Sequence, residues 1–98
     1  MSPSTEYGAP YHGLVKRSVM IAGHSTSISL EPLFWQALEQ AASKRALPLN
    51  ALIARIDAER VKAADMPNLA SALRLWLLFT LSNGRNIFKL NGNGARPK

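Results

Sequence analysis

Ser25-Thr26-Ser27-Ile28-Ser29-Leu30-Glu31-Pro32 is the stretch that decides the fold of this 98-residue chain. Thr26, Ile28 and Leu30 alternate strictly with Ser25, Ser27 and Ser29. That is the period of a strand with one apolar face and one wet face. Glu31-Pro32 then closes the strand and opens a helix. Proline suits the first helical position, where its missing N–H would have no partner anyway, and the acidic Glu31 suits the positive end of the helix dipole. A single strand of this kind is not stable alone. Its partner is either the weaker alternating run just upstream, with Val19 and Ile21 spaced by Ser18, Met20 and Ala22, or the same strand of a second chain.

Downstream the period changes to that of a helix. Phe34, Leu38, Ala41 and Ala42 fall on one helical face, with Trp35 just beside it, and Lys44 and Arg45 sit in the last turn before the stop at Pro48. A second helix is expected from Leu49 to Arg60, with Leu49, Leu52, Ile53 and Ile56 as its buried stripe. Residues 61–68 form a polar link. A third helix is expected over Leu69–Leu81, capped by Asn68 at its start and ended by Asn83-Gly84. This helix is apolar around most of its circumference, so it is expected to be buried against a second copy or a partner protein. Arg74 within it needs a counter-charge, for which Asp57, Asp65 or an acidic partner are the candidates. The two tryptophans, Trp35 and Trp76, are read as core or interface anchors.

The organisation that follows is an N-terminal arm over residues 1–15, a domain over 16–83 that includes the added helix at 69–82, and a basic tail over 84–98. Both ends are expected to be flexible on their Gly, Pro and polar content. Twelve Lys and Arg against six Asp and Glu give a formal charge of +6 and an isoelectric point near 10.4. Such an excess on so short a chain favours an acidic partner, nucleic acid before an anionic membrane. There is no cysteine, so disulfides and thiolate metal sites are excluded, which fits a reducing compartment. No secretory leader or membrane-length apolar run is evident, and a cytoplasmic protein is expected. Catalysis has little to work with. The two histidines, His12 and His24, lie in loop-like segments, the six carboxylates are scattered, and no phosphate loop or metal-ligand cluster is present. We expect no enzyme activity and no cofactor.

The strand-helix-helix order resembles the ribbon-helix-helix repressors of the Arc, MetJ and CopG class. The resemblance is carried by Lys16 to Ser18, Ala22 to His24, Ser29 to Pro32, Phe34-Trp35, Ile56 to Arg60 and Ser71 to Arg74, and it is similar to a bacterial branch of the family with an added C-terminal helix. It covers about residues 16–81. It implies a mainly α fold with a short β-ribbon, a homodimer in which strands of two chains pair antiparallel, and insertion of that ribbon into the major groove of double-stranded DNA. The outward positions would be Ser25, Ser27 and Ser29. The start of the second helix, near Leu49 and Asn50, would meet a phosphate. Serine is short and accepts or donates to any base, so Lys16, Arg17, Ser18 and His24 are added to the candidate interface for reach, with Arg17 expected to matter more for affinity than any of the three serines. Pro48 departs from the Ser or Thr usual at that helix start and donates no N–H. The implied function is a transcriptional regulator, a repressor or autoregulator. The alternative is a protein-interaction dimer, antitoxin-like or an adaptor, that holds a partner with its apolar third helix. A membrane role is disfavoured because that helix lacks a clear polar face.

Overall fold

The computed structural model of the protein describes residues 11–82. The expectations for residues 1–10, for a helix end at Asn83-Gly84 and for the basic tail lie outside the described residues. Two strands, β1 (Val15–Ile21) and β2 (His24–Leu30), are followed by three helices, α1 (Pro32–Lys44), α2 (Leu49–Arg60) and α3 (Leu69–Leu81). The strands pair antiparallel in a two-stranded sheet, with Val15 opposite Leu30 and Ile21 opposite His24. This is the ribbon, two helices and added helix that the sequence pattern calls for.

The strand pairing corrects one expectation. β2 pairs with β1 of its own chain, where the resemblance implied pairing with a second chain. The cause is a two-residue loop at Ala22-Gly23. Ala22 lies at φ 51° and Gly23 at φ 82°, so both central residues occupy the left-handed region, as the tightest hairpin turns require. Gly23 reaches that region without steric cost, whereas Ala22 is held there by the pairing on either side. The apolar face of β2 is therefore hidden within one chain. Ile28 and Leu30 are buried with Val19 and Ile21 of β1, against the helices, and Thr26 is half-buried.

The core lies between the hairpin's inner face and the three helices. α2 touches both α1 and α3 and runs beneath β1, while α3 lies beneath β2. Leu38, Leu52, Ile53 and Leu73 meet there, fully enclosed, and no polar or charged residue is buried among the described residues. The face that α1 buries is rotated from the expected one. Trp35 is only 2% exposed and joins Leu38 and Ala42, whereas Phe34 and Ala41 are half-buried. The indole N–H explains the rotation, because a buried tryptophan needs an acceptor. Trp35 Nε1 donates to the Val15 carbonyl at 2.9 Å, a partner that only the folded β1 supplies.

α1 ends in a reverse cap. The Leu47 N–H donates to the Ala42 carbonyl and the Ala46 N–H to the Ser43 carbonyl, with Ala46 at φ 55°. These are the two bonds of a Schellman motif, which usually places glycine at that position. The cap turns the chain so that Leu47 packs on the core before Pro48 begins α2. α3 starts as expected, with Asn68 Oδ1 accepting from the Ser71 N–H at 2.8 Å.

Within one chain only one side of α3 is buried, through Ala72, Leu73 and Leu77, while Leu75, Leu78, Phe79 and Leu81 are exposed. The expected partner of Arg74 needs correction. Arg74 pairs with neither Asp57 nor Asp65. It reaches Glu31 at the start of α1, at 2.9 Å, and covers the Phe34 ring at 5.4 Å. Asp57 is taken by Arg60 one turn on, at 2.8 Å, and Arg60 also donates to the Pro67 carbonyl, tying down the link. Among the described residues no helix is long and apolar enough to cross a membrane.

Candidate nucleic-acid interface

Strand alternation sorts the hairpin into two faces. Cross-strand neighbours share a face in an antiparallel pair. Arg17, Val19 and Ile21 with Thr26, Ile28 and Leu30 belong to the helix side. Lys16, Ser18 and Met20 with Ser29, Ser27 and Ser25 form the outer side, in the pairs Lys16–Ser29, Ser18–Ser27 and Met20–Ser25. Five of these six are exposed and Ser29 is half-buried. The structure thus brings together five of the sequence-derived candidates, Lys16, Ser18, Ser25, Ser27 and Ser29, on one open two-stranded surface.

The turn geometry adds a detail. In a hairpin with a two-residue loop the residues flanking the loop exchange both backbone hydrogen bonds, and every second pair after them does the same. The outer pairs are therefore the close, non-hydrogen-bonded ones, whose side chains approach most nearly. Their backbone N–H and C=O groups point along the strand edges instead. Ser25, Ser27 and Ser29 offer hydroxyls on the face and main-chain groups on the edge of β2.

Arg17 belongs to the other side. Its guanidinium lies over the Trp35 ring at 4.5 Å, and Nη2 donates to Glu39 Oε2 at 2.9 Å. Arg17 therefore clamps β1 to α1, and its charge is largely answered by Glu39. His24, opposite Ile21 beside the turn, is exposed at the hairpin tip.

A second group of candidates meets at the side of the ribbon. Arg17, Ser18, Val19 and Met20 of β1 and Leu49 and Asn50 of α2 line a shallow cleft of about 270 Å³. Pro48 is the N-cap of α2 and makes no side-chain cap, while its carbonyl accepts from Ala51 and Leu52. The N–H groups of Leu49 and Asn50 are the first two of the helix and have no partner inside it. An anion in the cleft would find these N–H groups, the Ser18 hydroxyl and the positive end of the α2 dipole together. Pro48 leaves this donor pair intact because it stands one position before it.

Met20 was not among the candidate interface residues, although it shares the strand parity of Lys16 and Ser18. Met20 is 54% exposed in the middle of a polar surface and offers the ribbon one apolar side chain. Glu39 was also missed as the partner of Arg17, since the two are twenty-two residues apart and nothing local links them. Among the described residues no group of three His, Cys, Asp or Glu could hold a metal ion.

Comparison with curated proteins and with solved structures found no match. The family model of the ribbon-helix-helix domain does match, over residues 14–81, from just before β1 to the last residue of α3. That span is more than half of the chain and contains the whole hairpin, all three helices and both groups of candidate residues, so the chain belongs to the ribbon-helix-helix domain family.

Proposed function

We propose that this protein is a homodimeric transcriptional regulator of the cytoplasm that inserts the outer face of its β1–β2 hairpin into the major groove of double-stranded DNA. The carrying observation is the two-stranded outer surface of Lys16, Ser18, Met20, Ser25, Ser27 and Ser29. A major groove about 12 Å wide admits a ribbon of two strands. Membership of a family whose fold is a DNA-binding one supports the reading, as does the formal charge of +6.

The residues divide the work. Lys16 supplies a free cation at one end of the face and makes no ion pair among the described residues. Ser18, Ser25, Ser27 and Ser29 donate to or accept from base edges at short range, which gives modest discrimination because a hydroxyl can satisfy more than one base. Met20 offers an apolar contact of the kind a thymine methyl group takes. His24 reaches outward at the hairpin tip. The Leu49 and Asn50 N–H groups hold a backbone phosphate beside the groove and set the docking angle. Arg17 acts as a positioning residue that fixes β1 on α1 and so holds the side wall of the cleft.

The test is binding of duplex DNA across salt concentrations. Neutralised phosphates release counterions, so affinity should fall by at least tenfold between about 50 and 200 mM salt if two or more phosphates are engaged. A flat response would remove DNA from the proposal.

A further inference from the structure

We propose that Met20 makes the hairpin selective for duplexes with a C5-methyl pyrimidine, thymine or 5-methylcytosine, at the base that its side chain meets. The inference rests on the DNA-binding reading above and deepens it by naming what the ribbon selects.

The outer face limits how sequence can be read. Its six residues include no Arg, Asn, Gln, Asp or Glu, the side chains that pair with one base in preference to the others. Ser18, Ser25, Ser27 and Ser29 each carry a hydroxyl, which serves a base donor and a base acceptor alike. Lys16 is a point charge that a phosphate answers as well as a base does. Among the six, Met20 is the one apolar side chain. The apolar feature that a base edge presents in the major groove is the C5 methyl group, and the others are donors and acceptors.

The position of Met20 supports the assignment. It is 54% exposed, faces Ser25 across the hairpin and follows Ser18 on the same side of β1. A methionine side chain ends two bonds beyond a serine hydroxyl, so it has the longer reach toward a base. Its unbranched thioether also adapts to an irregular surface. Met20 lines the side cleft together with Ser18, Leu49 and Asn50. A phosphate held there by the Leu49 and Asn50 N–H groups fixes the register of the duplex against the hairpin, so Met20 meets the same base step at each docking. The face is short. Lys16 and Met20 stand four residues apart on β1, about 13 Å at a rise of about 3.3 Å per residue. At about 3.4 Å per base step that covers about four steps at most, so one methyl contact is a large share of the choice this face can make.

The experiment is fluorescence anisotropy on a duplex selected for binding from a random pool. The duplex is prepared unmodified, with deoxyuridine for every thymine, and with 5-methylcytosine for every cytosine. These exchanges remove or add the methyl group and leave each donor and acceptor in place. For each methyl group that Met20 meets, the native chain should lose about fourfold in affinity on the uracil form, or gain about fourfold on the methylated form. The first result assigns thymine as the source of the methyl group and the second 5-methylcytosine. Met20→Ala should bind all three forms alike, with its salt dependence unchanged because an apolar contact displaces no counterion. Met20 lies outside the core, and circular dichroism checks that the variant is folded. A native chain that binds no duplex would overturn the DNA-binding reading itself. A native chain that binds the three forms equally, or a Met20→Ala variant that keeps the methyl preference, would overturn the role of Met20 alone.

Discussion

Lys16 and Arg17 are adjacent cations with opposite expected effects. Replacing each by alanine should separate DNA affinity from stability. Arg17 makes an ion pair with Glu39 in which the two side chains are 38% and 49% exposed. Solvent screens such a pair, and its loss should cost about 0.5 kcal/mol. The stacking of the guanidinium on Trp35 adds about 0.5–1 kcal/mol. Arg17→Ala should therefore destabilise the fold by about 1–1.5 kcal/mol. At about 4–8 °C per kcal/mol for a domain of this size, the melting temperature should fall by roughly 5–10 °C. Lys16 stands on the outer face with no ion pair among the described residues, so Lys16→Ala should change stability by less than about 0.5 kcal/mol. It should instead lower the dependence of DNA affinity on salt by about one unit of log K per log salt. Calorimetry on both variants, with fluorescence anisotropy of a labelled duplex over a salt series, reads the two effects separately. The reasoning fails if Arg17→Ala leaves the melting temperature alone but removes DNA binding, or if Lys16→Ala does the reverse of what is expected.

Ala46→Gly should raise stability by about 1 kcal/mol, because the cap of α1 holds an alanine at positive φ. Urea titration checks this, and an unchanged midpoint would mean that the site carries no strain. Asn68→Ala removes the side-chain acceptor at the start of α3 and should cost about 1 kcal/mol by the same measurement. Glu31 has its carboxyl pKa held below the usual 4.5 by hydrogen bonds from its own backbone amide and from Arg74. Its contribution to stability is then complete above pH 4.5 and is lost as pH falls through the lowered folded value. Glu31→Gln should flatten that acid limb of the stability curve, and an unchanged limb would place the titration elsewhere.

Local pattern was enough to bound every helix. The bounds of α2 and α3 follow from Pro48, from Asn68 and from the spacing of the leucines and isoleucines. Contacts that join distant residues were not legible. The acceptor for the Trp35 N–H is twenty residues away, and the acid for Arg74 is forty-three residues away, so nothing near either residue announces them. The hairpin was half visible. The alternation on both sides of Ala22-Gly23 marks two strands, but alanine is a poor resident of the left-handed region, and its presence disguised a two-residue turn as a simple interruption. At the interface, the parity of β2 placed Ser25, Ser27 and Ser29 outward correctly. The same parity carried across the turn separates Lys16 and Ser18 from Arg17, yet it can be used only once the strands are known to pair within the chain.

Because Ala22-Gly23 joins the two strands, every contact of the sheet is between residues close together in the polypeptide. Folding is then a unimolecular event with local β-contacts, which favours speed and makes the rate independent of dilution. A protein whose subunits are unfolded until they find each other faces a particular hazard when it is scarce, since stability is then tied to abundance. A chain that completes its own sheet avoids that hazard. It can be structured as it leaves the ribosome, at whatever abundance it is made.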